Sequence, residues 1–328
     1  MTRPLTSRRH ALLGLTAAGF TTGLPRMGRA DGFEAFLGDM RGAALAAGIG
    51  RPTIDDAFRG LRVADDVIAL DRRQPEGRIT FQTYRNRVVS QARIDGARRR
   101  YAEHATLLAD IGRSFGVSPR VIVALWGIES SFGQVTGNHA VIRSLATLAY
   151  EGRRRELFSR ELLGALMLVE RTPLDPQDLY GSWAGAMGQA QFMPTTYLEH
   201  AVDRDGTGWA DIWASQADVF ASMANYLRAI GWDGTYRWGR EVSRPGGFAG
   251  LPTGRDDKRP LAFWEAAGVR RADGGALPIA PIDAGLILTD DGAGPAYLVY
   301  GNFDVLMQWN RSTFFALSVG LLSDTIGG

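Results

Sequence analysis

The sequence predicts a mainly α-helical protein of the α+β class, in which a helical body carries a small β-rich insertion and the last helix returns to the body. Three observations lead to this prediction. Apolar residues recur at helical spacing through most of residues 31–231, residues 232–296 change to glycine, proline and short apolar runs, and a helical pattern closes the chain. The 328 residues, 45% of them hydrophobic, suit one large domain or two modest ones.

The first thirty residues have the build of an export signal. A basic segment, TSRRH, precedes an apolar run at residues 11–20, and small residues surround a cleavage site after Ala30. SRRHALL resembles a twin-arginine signal; the alternative is an ordinary basic N-terminal helix. With no cysteine, the chain has no lipid anchor on a cysteine and no disulfide. We expect a soluble periplasmic protein whose mature chain has no transmembrane anchor.

Net charge argues against a nucleic-acid partner. Residues 1–30 hold five of the 37 basic residues and no acid, which leaves 37 − 5 = 32 basic against 35 acidic residues and a net charge of −3. Global electrostatic attraction to nucleic acid is therefore not expected.

The helical patterns begin with FEAFLGDMRGAALAAG and RRRYAEHATLLADIGRSFG, which both end in glycine. ITFQTYRNRVV between them fits either an extended segment or a helix entry. AGLILTD and PAYLVYG predict strands of the insertion, and RSTFFALSVGLLSDTI predicts the last helix. The predicted divisions are an export signal (1–30), an N-terminal helical region (31–110), a catalytic core (111–231), a β-rich segment (232–296) and a C-terminal segment with its helix (297–328).

One carboxylate lies in an apolar helix. Ser118-Pro119 signals a helix start, and VALWGIESSFG then places Glu129 on the same face as Ile122, Leu125 and Trp126, just before Gly133 ends the helix. Burial would raise the pKa of this acid and keep it protonated near neutral pH, as proton donation to a leaving oxygen requires. The alternatives are a frayed helix end in water or a bond to a buried arginine.

A second segment, GSWAGAMGQAQFMPTTYLEHA, combines small residues with uncharged hydrogen-bonding groups and a Met-Pro helix entry. Ser182, Gln189 and Gln191 suit the hydroxyls and amides of an N-acetylated sugar polymer. The glycines either leave space for such a ligand or permit tight backbone packing.

Four segments in order resemble the B family of lytic murein transglycosylases, which has a goose-lysozyme-like core: WGIESSFG, SLATLAYEGRRRELFSREL, GSWAGAMGQAQFMPTTY and NFDVLMQWNRSTFFALSV. The resemblance covers residues 126–319 and implies a lysozyme-like catalytic core. It implies cleavage of the β-1,4 bond between N-acetylmuramic acid (MurNAc) and N-acetylglucosamine (GlcNAc) of peptidoglycan, with 1,6-anhydro-MurNAc ends. Glycan strands are the implied partner, other cell-wall enzymes are candidate partners, and the chemistry requires no cofactor.

The resemblance also implies roles for individual residues. Glu129 falls on the sole catalytic acid/base, Ser182 beside the substrate N-acetyl group, Gln191 in the sugar groove and Asn310 near the reacting sugar. Arg153 and Arg154 fall on contacts to the peptide or lactyl side of the glycan. Tyr84, in FQTYRNR, matches a groove tyrosine. Trp309 stands where the family commonly has tyrosine, which calls into question any role there that requires a phenol hydroxyl.

No second acidic motif comparable to Glu129 appears in the sequence. Glu151 and Glu156 flank an arginine cluster with which we expect them to pair, and Asp175 and Asp178 lie in a predicted turn. A site with one carboxylate needs the substrate to supply the second group, which the N-acetyl carbonyl can do.

DRDGTGWADIWASQAD resembles a degenerate EF-hand loop. Asp203 and Asp205 take positions one and three, Thr207 position five, and the Trp209 carbonyl position seven. Family members bind calcium here with a later acid, which is Asp218 in this chain. A structural calcium ion and an Asx-type turn with a salt-linked aspartate remain alternatives. The four histidines, His10, His104, His139 and His200, show no paired metal-ligand spacing.

Two other functions remain open from the sequence. One is a lysozyme-type hydrolase on the same fold, which only the products distinguish. The other is a non-catalytic peptidoglycan-binding protein, which has little use for a desolvated carboxyl group.

Overall fold

The computed structural model describes residues 29–73, 79–244 and 250–327. The predicted export signal lies outside the described residues, apart from residues 29 and 30 at the start of the first helix. The predicted mainly helical α+β fold is confirmed. In the three described ranges, no helix combines the length and the apolar character needed to cross a membrane.

The N-terminal region is helical. Its helices are α1 (Arg29–Ala46), α2 (Arg51–Ala57), α3 (Asp65–Arg72), α4 (Phe81–Val88), α5 (Gln91–Glu103) and α6 (Ala105–Phe115). The ambiguous segment ITFQTYRNRVV is helix α4, because the Thr80 side chain accepts a hydrogen bond from the Thr83 backbone N–H and caps the first turn. The helical pattern of RRRYAEHATLLADIGRSFG is interrupted at His104, which ends α5 and begins α6.

The elements of the central region are helices and the two strands of a short antiparallel sheet. They are α7 (Pro119–Ser130), β1 (His139–Ala140), α8 (Val141–Glu151), α9 (Arg155–Arg171), β2 (Tyr180–Gly181), α10 (Pro194–His200) and α11 (Gln216–Ala229). Eight of the twelve residues of α7 are buried, and this helix packs against α5, α6 and α11. The carboxylate-bearing helix is therefore enclosed by others on several sides.

A buried acid fixes the entry to α10. Glu161 on α9 is 2% exposed, and its carboxylate accepts bonds from the Thr195 backbone N–H (3.0 Å) and hydroxyl (2.9 Å). Pro194 occupies the first helical position, as the Met-Pro pattern predicts. The loop that precedes α10 is thus tied to α9.

The β-rich insertion has its own core. Its elements are β3 (Gly239–Ser243), β4 (Gly254–Pro260), α12 (Leu261–Ala266), β5 (Arg270–Arg271), β6 (Asp283–Leu288) and β7 (Ala296–Val299). The strands form an antiparallel sheet in the order β4-β6-β7-β3-β5. Trp264, Leu286 and Leu298 are fully buried in its core. The two strands predicted from AGLILTD and PAYLVYG are β6 and β7.

Two helices end the chain, α13 (Gly301–Trp309) and α14 (Thr313–Asp324). Ser312 caps α14 by accepting a bond from the Phe315 backbone N–H. Helix α14 packs against both α7 and α4. Helix α6 runs through residue 110 and strand β7 through residue 296, so two of the predicted divisions fall inside elements.

Candidate active site

A sharp turn follows the carboxylate of α7. The helix ends at Ser130, three residues before Gly133, where the sequence predicted its end. The reason is that Ser131 and Phe132 both adopt left-handed backbone angles, with φ of 50° and 62°. Such angles are strained in residues other than glycine and are concentrated at functional sites. Close packing holds the turn, since a Cβ atom on Gly127 would lie only 2.6 Å from the Phe132 ring.

Glu129 occupies the last turn of α7 and is half-buried. Burial raises the pKa of its carboxyl group to about 7, and a hydrogen bond from Trp309 offsets part of this rise. The direction and the cause of this shift are those that the sequence predicts. No arginine forms an ion pair with Glu129 in the described parts of the chain, so the alternative of a salt-linked acid is wrong. An acid with this pKa can both donate and accept a proton near neutral pH.

Trp309, at the end of α13, is the direct partner of this acid. Its indole Nε1–H donates to Glu129 Oε1 at 2.7 Å, and its ring packs against Phe192 (5.6 Å between centroids) and Tyr226 (5.1 Å). An indole can only donate. When Glu129 is neutral, its proton therefore lies on Oε2. The sequence marked Trp309 only as a departure from the related family, whereas the structure makes it a hydrogen-bond donor to Glu129.

Tyr84 interacts electrostatically with both Glu129 and Arg93. The pKa of the half-buried Tyr84 is raised by burial and by the negative charge of Glu129, and Arg93 opposes this rise. Arg93 donates to the Val88 carbonyl (2.5 Å) and to the Ser131 hydroxyl (3.4 Å). The structure thus brings the predicted Tyr84 to Glu129. Sequence analysis missed Arg93, because nothing in the local pattern of α5 distinguishes it from the other arginines of that helix.

Ser182 and Gln191 belong to the loop before α10. The Ser182 hydroxyl oxygen accepts from the Ala186 backbone N–H at 2.9 Å, which leaves its hydrogen available to a ligand. Gln191 adopts a left-handed φ of 50°, and its amide nitrogen donates to the Thr136 and Gly188 carbonyls at 3.0 Å each. No contact joins either side chain to Glu129 in the described structure.

Gln191 and Asn310 are instead adjacent in sequence to residues that contact the site. Gln191 immediately precedes Phe192, which packs on Trp309, and Asn310 immediately follows Trp309. The Asn310 side-chain oxygen accepts from the Ser312 backbone N–H at 3.1 Å, which fixes the amide at the start of α14.

Gln189 does not line a groove, which corrects the sequence-based expectation. It is 5% exposed, its oxygen accepts from the Trp126 indole N–H at 2.8 Å, and its nitrogen donates to the Trp213 carbonyl at 2.8 Å. Nearby glycines serve close packing as well. A Cβ on Gly181 would lie 2.2 Å from the Ala186 carbonyl oxygen. Tight backbone packing therefore explains this glycine.

Arg153 and Arg154 are joined to a buried acid. The carboxylate of Asp71, with its side chain 4% exposed, lies 2.8 Å from Arg153 Nη2 and 2.5 Å from Arg154 Nη2. Arg154 also stacks on the Phe158 ring, with its guanidinium carbon 4.8 Å from the ring centroid. The structure brings this pair to α3 and shows no contact between it and Glu129. Their predicted contact with the substrate stays a prediction.

Of the other acids considered from the sequence, Glu151 has ion-pair and hydrogen-bond partners, whereas the exposed Glu156 forms no ion pair in the described residues, contrary to the expected pairing. Glu151 pairs with Arg72 at 3.0 Å and accepts from the Arg153 backbone N–H, which together lower the pKa of its carboxyl group. Asp175 and Asp178 lie in a turn in which the Asp178 N–H donates to the Asp175 carbonyl. None of these contacts places a second carboxylate beside Glu129.

The EF-hand-like loop gathers its predicted acids. Ligand oxygens of Asp203, Asp205 and Asp218 lie within 4.8 Å of one another. The Thr207 hydroxyl donates to the Trp209 carbonyl at 3.3 Å, so these two predicted ligand groups lie beside each other in the loop. Carboxylate, carbonyl and hydroxyl oxygens are the donors that a hard cation such as Ca²⁺ prefers, and the residues present therefore fit that ion.

The alternative of an Asx-type turn also has support. Asp203 accepts bonds from the backbone N–H groups of Gly206, Thr207 and Gly208. The ion pair beside the loop joins Arg204 to Asp110 rather than to Asp203. Both interpretations of the loop are therefore compatible with the geometry.

Comparisons with known proteins agree on one family. The family model described as "Transglycosylase SLT domain" matches residues 32–324. Membrane-bound lytic murein transglycosylase B of Escherichia coli K12 is 33% identical over 252 residues, which are 74% of this chain and 66% of that protein.

Solved structures are similar over nearly the whole chain. SltB3 of Pseudomonas aeruginosa in complex with NAG-anhNAM-pentapeptide is 42% identical, with a TM-score of 0.85 over 90% of this chain and 80% of that one. The Escherichia coli lytic transglycosylase Slt35 in complex with calcium is 29% identical, with a TM-score of 0.75 over 90% of this chain and 92% of that one.

Proposed function

The chain belongs to the transglycosylase SLT domain family of lytic transglycosylases, and from this premise we propose that it cleaves the β-1,4 bond between MurNAc and GlcNAc in peptidoglycan and leaves 1,6-anhydro-MurNAc ends. The observation that carries the proposal is the state of Glu129. Its carboxyl group has a pKa of about 7, and Trp309 holds one of its oxygens. Such a group can serve as acid and then as base in one turnover.

The reaction needs only one protein carboxylate. Protonated Glu129 donates its proton to the glycosidic oxygen as the bond to C1 of MurNAc breaks. The carbonyl oxygen of the substrate N-acetyl group stabilises the positive charge at C1, as in the substrate-assisted exceptions to the two-carboxylate rule. Ionised Glu129 then takes the proton of the MurNAc C6 hydroxyl, and that oxygen bonds to C1. The atoms balance without water, so the reaction is that of a lyase.

The surrounding side chains bind and orient the sugars. The free hydrogen of the Ser182 hydroxyl and the Asn310 amide orient the N-acetyl group. Gln191 and Tyr84 line the groove, and the phenol of Tyr84 lies close enough to interact with the charge on Glu129. Desolvation strengthens each of these polar contacts. In this proposal Arg153 and Arg154 contact the peptide or lactyl side of the glycan, in the arrangement that Asp71 imposes on them.

The solved structures of relatives support the proposed anhydro product and the proposed calcium site. SltB3 was solved with an anhydromuramoyl peptide, which is the kind of product that the proposed ring closure gives. Similarity to Slt35 in complex with calcium supports a structural Ca²⁺ held by Asp203, Asp205, Thr207, Trp209 and Asp218. We further propose that the protein acts on glycan strands in the periplasm, after removal of residues 1–30, alongside other cell-wall enzymes.

The test is a Glu129→Gln variant assayed on purified cell-wall sacculi. The amide keeps the shape and the oxygen that Trp309 binds but cannot exchange the proton, so we expect turnover to be lost and glycan binding retained. Glu156→Gln, at an exposed site, is the matched control and should keep its activity. Near wild-type turnover by Glu129→Gln would refute the assignment of the acid.

Mass spectrometry of the wild-type products tests the outcome of the reaction. Muropeptides with 1,6-anhydro ends support the lyase. Reducing-end muropeptides would mean that water attacks C1 and that the protein is a lysozyme-type hydrolase.

A further inference from the structure

A basic pocket lies between helix α5 and the turn that follows α7. We define it by Arg87, Arg93, Arg99, Arg100, Ser131 and Phe132. Residues 93, 96, 99 and 100 of α5 share one helix face, and Gly96 forms the floor, where a Cβ would lie 3.0 Å from the Phe132 ring. The glycine therefore lets the helix approach the turn and leaves the arginines around the opening.

The pocket carries a strong local positive charge. Arg100 pairs with Glu103 at 2.7 Å, which also borders the pocket. Arg87, Arg93 and Arg99 form no ion pair with any carboxylate in the part of the chain that the structure describes. Four arginines and one glutamate give 4 − 1 = +3 in a protein whose residues 31–328 sum to −3. A cluster of positive charge on a protein of negative net charge favours the binding of an anionic ligand in this pocket.

The pocket is linked to the candidate active site through Arg93 and Ser131. Ser131 lies two residues after Glu129, and Arg93 contacts its hydroxyl at 3.4 Å. Arg93 also interacts electrostatically with Tyr84, which in turn interacts with Glu129. The half-buried Arg93 therefore links the pocket to the residues around Glu129, and Arg87 and Arg99 line the same pocket.

We propose that the basic pocket binds the carboxylates of the peptides that peptidoglycan carries on its muramic acid lactyl groups, and this rests on the proposed function. The N-acetylated sugars of the strand are uncharged, and where a peptide is attached the lactyl carboxyl is an amide. The anions of the substrate are then the peptide carboxylates, which match the planar guanidinium fork. Arg87 and Arg99 are exposed and form no ion pair in the described residues, so the pocket would add peptide contacts to those proposed for Arg153 and Arg154.

The test compares two ligands by isothermal titration calorimetry: the disaccharide GlcNAc–MurNAc with its pentapeptide, and the same disaccharide with its lactyl carboxyl group converted to the uncharged primary amide. Neither contains the MurNAc–GlcNAc bond that the proposed reaction cleaves, so binding is measured apart from turnover. Arg87→Gln/Arg99→Gln should reduce the preference for the pentapeptide form roughly 3- to 10-fold, as expected for the loss of two exposed charge contacts. Raising the ionic strength should weaken the wild-type preference in the same way.

Arg51→Gln/Arg171→Gln is the matched control, since it removes two exposed arginines from α2 and α9, away from the pocket. It should leave the preference unchanged. An equal loss for both ligands in Arg87→Gln/Arg99→Gln would mean that these arginines hold the sugar, and an unchanged preference would mean that they do not contact the peptide. Either result overturns the inference, while sacculus turnover separately decides the proposed function.

Discussion

The hydrogen bond from Trp309 to Glu129 predicts a measurable shift in the pH dependence of the reaction. Trp309→Phe keeps an aromatic ring against Phe192 and Tyr226 but removes the 2.7 Å donor to Glu129. The indole stabilises the ionised carboxylate, so its loss disfavours that form and raises the pKa of Glu129 above its value of about 7.

The size of the shift follows from the strength of the bond. A hydrogen bond to a charged group contributes about 1.5–3 kcal/mol. One pKa unit corresponds to about 1.4 kcal/mol. These values give a pKa increase of about one to two units. Water can replace part of the lost hydrogen bond because the carboxyl group is only half-buried, so we expect an increase of about one unit.

The assay is the pH dependence of kcat/KM on sacculi, which reports groups of the free enzyme. Because the free enzyme must hold Glu129 protonated, the alkaline limb should move upward by about one unit in Trp309→Phe. Trp309→Tyr restores a donor and should stay near the wild-type profile. Trp213→Phe, on a tryptophan that stacks against Trp209 and Tyr197, is the control. An alkaline limb that does not move in Trp309→Phe would refute the reasoning.

Three further predictions concern stability and ion binding. The pKa of Glu129 rises from an ordinary 4.5 to about 7, so its ionisation should destabilise the fold as pH rises through this interval. Glu129→Gln should therefore be more stable than wild type at alkaline pH by roughly 3 kcal/mol, with no difference below pH 4 in denaturant titrations. Gln189→Leu leaves the Trp126 indole and the Trp213 carbonyl unpaired, so the free energy of unfolding should fall by about 2–4 kcal/mol with KM unchanged; a raised KM at normal stability would contradict this. Millimolar calcium should raise the melting temperature of the wild type and not of Asp218→Asn, and equal responses would exclude this loop as the site.

Local sequence signals predicted the elements that hold the site. Ser118-Pro119 marks the start of α7, and the apolar spacing around Glu129 predicts a desolvated acid. These features depend on residues close together in the chain, where helical periodicity and capping act. The strands β6 and β7 were predictable for the same reason.

Tertiary contacts were not predictable in this way. Trp309 lies 180 residues from Glu129, and no local pattern joins them. Gln189 looked like a groove residue because it is polar among glycines, yet its partners are buried groups of α7 and of the loop before α11. Helix α7 ends early because Ser131 and Phe132 take left-handed angles, which residue type does not signal.

The central claim is that Glu129 is a single acid kept protonated near neutral pH by burial. Carboxyl-carbon NMR titration of the wild-type protein, with the resonance assigned through Glu129→Gln, measures this directly. We expect a pKa of about 7. A midpoint at the ordinary value of 4.5 would show an acid that is already ionised when it is needed as a proton donor, and would contradict the account.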